Sequence, residues 1–230
     1  MGTMTHAAGR LAFSKAADIV LKNVEKDREK ELVKLVDLAE KYCTLNHYIN
    51  RLLDEVDPHV LKTTLLNLGY EAFFYGTKTI RKMREIHQCN VPWLILMDPT
   101  SACNLHCTGC WAAEYGNRLN LTFEEMDHLI TQGKELGIYF YMFTGGEPLV
   151  RKKDIIRLCE KHNDCAFLAF TNGTLVDEAM CQEMKRVGNL YLAISLEGFD
   201  ESHGSFEEKR SDLRYIHLLY IEEHRDSYRG

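Results

Sequence analysis

Apolar positions follow one pattern before about residue 90 and another after it. In the first part they recur at helical spacing, with Glu and Lys between them: Leu32, Val33, Leu35, Val36 and Leu38. The Asp57-Pro58 step predicts a break, because a residue before proline avoids the helical conformation. A second helical stretch then runs through residues 61–74, with a kink expected at Gly69. Residues 1–90 are therefore predicted to form an α-helical N-terminal region.

After Pro92, four short apolar runs predict β-strands. They lie at residues 93–97, 138–143, 166–170 and 190–194. Each run is continuous rather than alternating, which is typical of strands that are buried on both faces of a parallel sheet. We therefore expect a parallel sheet in the second part of the chain.

Helix signals separate the predicted strands. Thr122-Phe-Glu-Glu125 is a capping box that begins a helix through Leu136, and Gly137 ends it. Residues 154–161 and 177–187 supply two more helices. The alternation of strand and helix predicts an α/β fold, either a barrel or a doubly wound sheet. Only about four strand–helix units fit after residue 93, so a barrel would be partial.

Composition narrows the classes of function. The chain has 230 residues, of which 45% are apolar and 27% charged, as in soluble globular proteins. No run reaches the roughly 18 apolar residues of a membrane helix, and the N-terminus lacks the apolar core of a signal peptide. The net charge is −6 and the basic residues are scattered among acids, which argues against a nucleic-acid partner. We expect a cytoplasmic protein that binds neither membranes nor nucleic acids.

Eight cysteines are the informative excess in this composition. Three of them lie in Cys103-Asn-Leu-His-Cys107-Thr-Gly-Cys110, directly after the first predicted strand, where α/β folds place active sites. Three thiolates on one loop can bind three irons of a cubane and leave the fourth iron open. The other cysteines are dispersed, and we interpret them as buried free thiols: Cys43, Cys89, Cys159, Cys165 and Cys181.

Two other kinds of metal protein compete with this interpretation of the cysteine loop. A structural zinc site needs four ligands, and only His106 is near enough to add one. An electron-transfer ferredoxin uses four cysteines, commonly with shorter spacing than C-x3-C-x2-C. Both remain open on the spacing alone.

The other three predicted strands also end in short polar motifs. These are Thr144-Gly-Gly-Glu-Pro148, Thr171-Asn-Gly-Thr174 and Ser195-Leu-Glu-Gly198. Each alone resembles an ordinary turn. The glycines allow close approach of a ligand, and Glu147 adds a negative charge where an ammonium group can bind. Their position at one rim of the sheet favours a shared ligand over unrelated turns.

Together, in this order, the cysteine loop and the three motifs resemble the radical S-adenosylmethionine (SAM) superfamily over about residues 93–200. The resemblance implies a partial (β/α)6 barrel that holds a [4Fe–4S] cluster. It also implies that SAM chelates the open iron and is cleaved reductively to a 5′-deoxyadenosyl radical, which abstracts hydrogen from a substrate. In such proteins the cofactor carries the radical chemistry, and the protein positions it.

The resemblance implies three groups of site residues. The catalytic cluster ligands are Cys103, Cys107 and Cys110. The methionine amino group of SAM is held by Gly145, Gly146 and Glu147. The ribose or carboxylate of SAM, or the substrate, is contacted by Asn172, Ser195 and Glu197. Gly109 departs from the family pattern, in which an aromatic residue precedes the third cysteine; Trp111 either stacks on adenine or packs within the loop.

The end of the chain departs most from the family. After about residue 200 the resemblance is expected to stop, so residues 91–230 are predicted to be a C-terminally incomplete radical SAM core. The substrate is an unidentified peptide or small molecule, with a peptide-modifying maturase as a guess from fold analogy. The reductant is expected to be a flavodoxin or ferredoxin. The alternatives are a non-catalytic iron–sulfur or zinc protein and an inactive fragment.

Overall fold

The fold is described from a computed structural model of the 230-residue chain. The structure describes residues 55–195, apart from 108, 111, 113–115 and 117. The helix predicted around Leu32–38 therefore lies outside the described residues, as does everything after residue 195. Within the described ranges, no helix has both the length and the apolar character needed to cross a membrane.

A helical run precedes the sheet. It consists of α1 (Pro58–Thr64), a π-helical segment (Leu65–Gly76) and α2 (Thr77–His87). The predicted break at Asp57-Pro58 is the start of α1, where the Asp57 side chain accepts hydrogen bonds from the backbone N–H groups of His59 and Val60. Helical structure continues through Gly69, with wide π-type turns where a kink was expected.

Four parallel strands form the sheet. They are β1 (Leu94–Thr100), β2 (Phe140–Gly145), β3 (Ala166–Thr171) and β4 (Leu190–Ile194). Their spatial order is β1-β2-β3-β4, so each strand pairs with the next one in sequence. A doubly wound sheet would reverse this order at a switch point. The order is that of a barrel wall, which confirms the predicted α/β fold of partial-barrel type.

Three helices connect the strands. They are α3 (Phe123–Glu135), α4 (Lys152–Lys161), which follows a 3₁₀ turn (Pro148–Arg151), and α5 (Glu178–Val187). The predicted capping box is present: Thr122 Oγ1 accepts from the Glu125 N–H, and the Glu125 carboxylate accepts from the Thr122 N–H at 2.7 Å. Asp177 caps α5 in the same way, by accepting from the Met180 N–H.

One face of the sheet packs under these helices. Tyr141, Phe143 and Phe167 are fully buried there, and the rings of Phe143 and Phe167 stack at 5.8 Å. Burying a side chain of this size contributes about 1.5–3 kcal/mol. The opposite face is open in the described part of the chain, with Leu96 55% and Phe170 39% exposed. The prediction that the strands are buried on both faces of the sheet is therefore wrong for this second face, which we call the inner face.

The helical run docks on the sheet at the end where the strands begin. Asn67 Nδ2 donates to the carbonyl oxygens of Asn163 and Cys165, just before β3. Trp93 Nε1 donates to the Ala72 carbonyl at 3.0 Å. Ile80 of α2 belongs to the same buried core as the strands. The carboxyl ends of the strands, at the other edge, are therefore left for the predicted site.

Candidate active site

The carboxyl ends of the four strands lie along one rim of the sheet, and the predicted motifs start there. Gly146 N–H donates to the carbonyl of Thr100, at the end of β1, over 3.0 Å. Ser195 N–H donates to the carbonyl of Thr171, at the end of β3, over 2.9 Å. Because parallel strands end at the same edge, motifs far apart in sequence become neighbours. The structure thus brings the stems of all four motifs together.

The loop that carries the three cysteines is closed at its base. Ser101 N–H donates to the Leu119 carbonyl at 2.8 Å, and Leu121 N–H donates to the Pro99 carbonyl at 3.1 Å. Thr100 Oγ1 donates to Asn120 Oδ1 at 2.6 Å. These bonds hold the two ends of the loop side by side at the rim.

The three cysteines lie near the rim without disulfide bonds. Cys103 is half-buried, whereas Cys107 and Cys110 are exposed. The Leu105 N–H donates to Cys103 Sγ at 3.4 Å, a contact that holds the sulfur against its own loop. Cys110 N–H donates to the Cys107 carbonyl at 3.3 Å, so these two residues share a tight turn.

Of the dispersed cysteines, three are buried as predicted, Cys159, Cys165 and Cys181, and Cys43 lies outside the described residues. The prediction of a buried thiol is wrong for Cys89, because it lies in the exposed connection between α2 and β1.

The donor set fits an iron–sulfur cluster. Three thiols on one loop, outside any disulfide, are the soft ligands that such clusters take from proteins. His106, the extra ligand considered for zinc, is exposed. In the described part of the loop, however, no three His, Cys, Asp or Glu side chains already converge on one point where a metal ion would sit.

The two glycines of Thr144–Pro148 are required by packing. Gly145 has φ +103°, and a Cβ there would lie 2.7 Å from the Thr100 carbonyl oxygen. A Cβ on Gly146 would lie 2.5 Å from the Ser101 carbonyl oxygen. The sequence predicts that these glycines allow the close approach of a ligand. The structure gives them a second reason, because the turn lies directly against the base of the cysteine loop.

Glu147 is 1% exposed, and its carboxylate is bonded within the protein. Oε1 accepts from Leu149 N–H at 3.0 Å and from Thr171 Oγ1 at 2.7 Å. Oε2 accepts from Asn172 N–H at 2.9 Å. A carboxylate has about four acceptor positions, so about one remains for a ligand. Glu147 thereby ties the turn after β2 to the end of β3, a role the sequence analysis did not foresee.

The Asn172 side chain reaches across to the cysteine loop. Its Nδ2 donates to Asn104 Oδ1 at 3.0 Å, and Asn104 Nδ2 donates to Thr174 Oγ1 at 2.7 Å. The sequence motifs indicate Asn172 as a site residue but do not indicate Asn104. The only signal for Asn104 was its place next to Cys103, which gives no hint of a partner 68 residues away.

The remaining predicted residues are placed only in part. Ser195 is exposed at the end of β4, on the same rim. Glu197 and Trp111 lie outside the described residues, and Gly109 adopts φ +76° within the cysteine loop. The sequence motifs do not indicate Asp98, a charged residue that directly follows the buried Met97 on β1. Loss of hydration raises the pKa of the Asp98 carboxyl above its ordinary value.

Solved structures of other proteins share this fold. The described chain resembles Streptococcus suis SuiB bound to S-adenosylmethionine, with a TM-score of 0.51, 16% identity, and coverage of 80% of this chain and 44% of that one. SuiB bound to the precursor peptide SuiA matches with a TM-score of 0.50 and 19% identity over 63% of this chain and 35% of that one. At these identities the likeness shows the fold alone.

Curated relatives each match about half of the chain. Fe-coproporphyrin III synthase from Methanosarcina barkeri is 34% identical over 119 residues, which are 49% of this chain and 29% of that protein. GTP 3′,8-cyclase from Syntrophomonas wolfei is 31% identical over 143 residues, which are 58% of this chain and 43% of that protein. The chain spans less than half the length of these relatives.

A match to a whole family decides the assignment. Residues 97–217, more than half of the chain, match the family described as the Radical SAM superfamily. The match continues past residue 200, so the expected end of the resemblance was placed too early. This chain belongs to the radical SAM superfamily, a family of enzymes that use a [4Fe–4S] cluster and SAM.

Proposed function

We propose that the protein holds a [4Fe–4S] cluster through Cys103, Cys107 and Cys110 and cleaves SAM reductively at the rim of the sheet. The observation that carries this proposal is the contact between the Gly-Gly-Glu turn and the cysteine loop. Gly146 N–H donates to the Thr100 carbonyl at 3.0 Å, and Glu147 N–H donates to the Ala102 carbonyl at 2.8 Å. The residue that would bind SAM is therefore joined to the residue preceding the first cluster ligand.

Held by Cys103, Cys107 and Cys110, the cluster would supply the one-electron reduction of SAM, with an external donor such as a ferredoxin or flavodoxin as the source of the electron. A carbon–sulfur bond of SAM would break to give methionine and a 5′-deoxyadenosyl radical, and that radical would take a hydrogen atom from the substrate. The protein's own task is to hold the reacting groups in position and to shield them. We assign no further chemistry to its side chains.

Glu147 is our candidate for the methionine ammonium group of SAM. Three of its acceptor positions are taken by Leu149, Thr171 and Asn172, which fix the carboxylate at the rim. The remaining position on Oε2 would accept a charge-assisted hydrogen bond, a type that contributes about 1.5–3 kcal/mol. A carboxylate already held in place loses little entropy on binding, which favours this role.

Other predicted contacts belong to the same proposal. Gly145 and Gly146 would offer backbone groups to the amino acid part of SAM, and Ser195, exposed at the end of β4, would reach its ribose or carboxylate. Glu197 and Trp111 keep their sequence-based assignments, since they lie outside the described residues. The order of strands puts Ser195 on the far side of the Asn172 turn from the cysteine loop.

The substrate would approach the inner face of the sheet. Leu96 and Phe170 are exposed there, so an apolar part of a peptide or small molecule finds matching surface. A peptide has one structural parallel, SuiB with its precursor peptide SuiA. A small molecule has its parallels in the named synthase and cyclase. We place the reaction in the cytoplasm, where low-potential reductants are present.

An anaerobic assay tests the proposal directly. The full chain is reconstituted with iron and sulfide, dithionite and SAM are added, and 5′-deoxyadenosine is quantified. We expect the product from the wild type and from Cys89→Ala, which removes an exposed cysteine outside the loop. Cys107→Ala should give neither a complete cluster nor product. A full complement of iron and sulfide in Cys107→Ala, or a wild-type cluster without 5′-deoxyadenosine, would contradict the proposal.

A further inference from the structure

We propose that Asn104, Asn172 and Thr174 form a positioning device that fixes the cysteine loop against the turn after β3. We call these three side chains the amide ring. The inference rests on the proposed function, because the loop is taken to hold the cluster and the turn to adjoin SAM. In this arrangement none of the three side chains contacts the reacting atoms.

The amide ring is a closed circuit of side-chain hydrogen bonds. Asn172 Nδ2 donates to Asn104 Oδ1 at 3.0 Å. Asn104 Nδ2 donates to Thr174 Oγ1 at 2.7 Å, and Thr174 Oγ1 donates to Asn172 Oδ1 at 2.7 Å. The Thr174 N–H also donates to Asn172 Oδ1, at 2.9 Å. Each residue thus both gives and receives, and the orientation of each amide is set by the other two.

The ring occupies most of the hydrogen-bonding capacity of its three side chains. Asn172 Oδ1 has two lone pairs, and Thr174 uses both. The Thr174 hydroxyl both accepts and donates within the ring. One N–H each of Asn172 and Asn104 remains, together with one lone pair on Asn104 Oδ1 and one on Thr174 Oγ1. The side chains are therefore better suited to holding two segments of backbone together than to contacting SAM, which changes the role that the sequence suggested for Asn172.

The ring also connects the two halves of the predicted site. Asn104 follows Cys103, whose sulfur accepts from the Leu105 N–H. On the other side, the Asn172 N–H donates to Glu147 Oε2 at 2.9 Å. A displacement of the cysteine loop would move Asn172 and thereby change its hydrogen bond to Glu147. The path from the first cluster ligand to the ammonium-binding candidate consists of direct contacts throughout.

A local turn alone would not explain this arrangement. Asn side chains commonly bond the backbone two residues on, and the Asn172–Thr174 contact has that form. Such a turn needs no partner elsewhere. Here Asn104, 68 residues earlier than Asn172 and 70 earlier than Thr174, joins both members of the turn at once.

Two substitutions of Thr174 distinguish the effect of its hydrogen bonds from the effect of its size and shape. Thr174→Val keeps the shape but removes the hydroxyl, and so breaks two bonds of the ring. Thr174→Ser keeps the hydroxyl. Thr131→Val is the matched control, because its hydroxyl bonds only its own exposed helix, by donating to the Asp127 carbonyl at 2.8 Å. Asn104→Ala combined with Thr174→Val completes a double-mutant cycle.

The first readout uses the reconstituted full chain. SAM affinity is measured from the change that SAM makes in the EPR spectrum of the reduced cluster, beside iron content. We expect Thr174→Val to keep its iron but to bind SAM about tenfold more weakly, since two net hydrogen bonds are lost near solvent. Thr174→Ser and Thr131→Val should bind like the wild type. The Asn104→Ala, Thr174→Val double variant should be no weaker than the worse single variant. Equal SAM affinity in the Val and Ser variants, or additive losses in the cycle, would overturn the inference.

The second readout uses the metal-free chain and needs no cluster. Hydrogen exchange at the Leu105 and Cys110 amides, which donate to Cys103 Sγ and to the Cys107 carbonyl, should be about tenfold faster in Thr174→Val and unchanged in Thr174→Ser. Unchanged exchange in Thr174→Val refutes the amide ring whether or not the wild type cleaves SAM. Faster exchange together with a wild type that forms no 5′-deoxyadenosine refutes the proposed function and leaves the ring in place.

Discussion

Glu147 Oε1 accepts a 2.7 Å hydrogen bond from Thr171 Oγ1, which joins the end of β2 to the end of β3. Both residues are buried, at 1% and 2% exposed. Replacing Glu147 with Gln would put an NH2 group against donors that now point at a carboxylate. Because a buried donor without an acceptor costs about 1–3 kcal/mol, we expect the free energy of unfolding to fall by about that amount. Urea unfolding of the metal-free chain measures it.

The control for this substitution is Glu135→Gln, at an exposed position near the end of α3. It removes one carboxylate from the surface, where changes usually stay within about 0.5 kcal/mol. If Glu147→Gln unfolds at the same urea concentration as Glu135→Gln, the hydrogen bonds of Glu147 do not stabilise the ends of β2 and β3. A loss of SAM affinity in such a variant would then report ligand contact alone.

Gly146→Ala tests whether the turn after β2 must lie against the cysteine loop. The added Cβ would be 2.5 Å from the Ser101 carbonyl oxygen, a backbone atom that cannot rotate away. We expect a loss of roughly 1–3 kcal/mol in unfolding free energy, the usual range for overpacking, and a lower yield of assembled cluster. Urea unfolding and iron analysis check both effects.

Gly69→Ala is the counterpart, because a Cβ there meets nothing within 4 Å. Gly69 lies inside the helical run, where alanine is better than glycine by about 0.5–1 kcal/mol. This variant should therefore be as stable as the wild type or more so. A Gly146→Ala variant that matched it in stability and cluster content would show that the turn can move away from the loop.

Local signals made most of the fold predictable from the sequence. The capping box at Thr122 and the cap at Asp177 act through bonds within four residues, so they can be seen in a short window. The strands were found because their apolar runs pack under helices, as Tyr141 and Phe167 do. β1 and β2 run on to Thr100 and Gly145, past the apolar residues, because their partners continue the ladder.

Features that depend on contacts across the sheet were not predictable in this way. The hydrogen bond from Asn172 to Asn104, 68 residues away, and the one from Thr171 to Glu147 exist only once neighbouring strands are in register. The exposure of Leu96 and Phe170 on the inner face likewise depends on how many strands surround it. A single sequence shows which residues a motif contains, but it does not show which of their polar groups are already hydrogen-bonded within the folded protein.

His162 should make stability depend on pH. It is 4% exposed, and burial lowers its pKa below the usual value of about 6.5, although its hydrogen bond to Asp127 opposes this. Lys134 also lowers this pKa, whereas Asp164 raises it. As the pH falls below about 6.5, the unfolded chain takes up a proton that folded His162 does not. The unfolding free energy should therefore fall with pH below that point, and by at most about 1.4 kcal/mol per pH unit from this group.

Urea unfolding at pH 7.5 and pH 5.5 checks this dependence. His162→Phe removes the titrating ring, so its unfolding free energy should fall less between the two values than that of the wild type. His128→Gln changes an exposed histidine of the same region and should keep the wild-type slope. The idea fails if His162→Phe and the wild type lose equal stability over this interval.

Alkylation with iodoacetamide should divide the described cysteines into two groups. Three are buried, and burial raises their thiol pKa values, so little reactive thiolate forms: Cys159, Cys165 and Cys181. Four are at least partly exposed and should be labelled in the folded, metal-free chain: Cys89, Cys103, Cys107 and Cys110. After anaerobic reconstitution, peptide mass spectrometry should find the three loop cysteines protected and Cys89 still labelled, because only the loop thiolates would be held by iron. Continued labelling of Cys107 in protein that contains a full cluster would remove it from the ligand set.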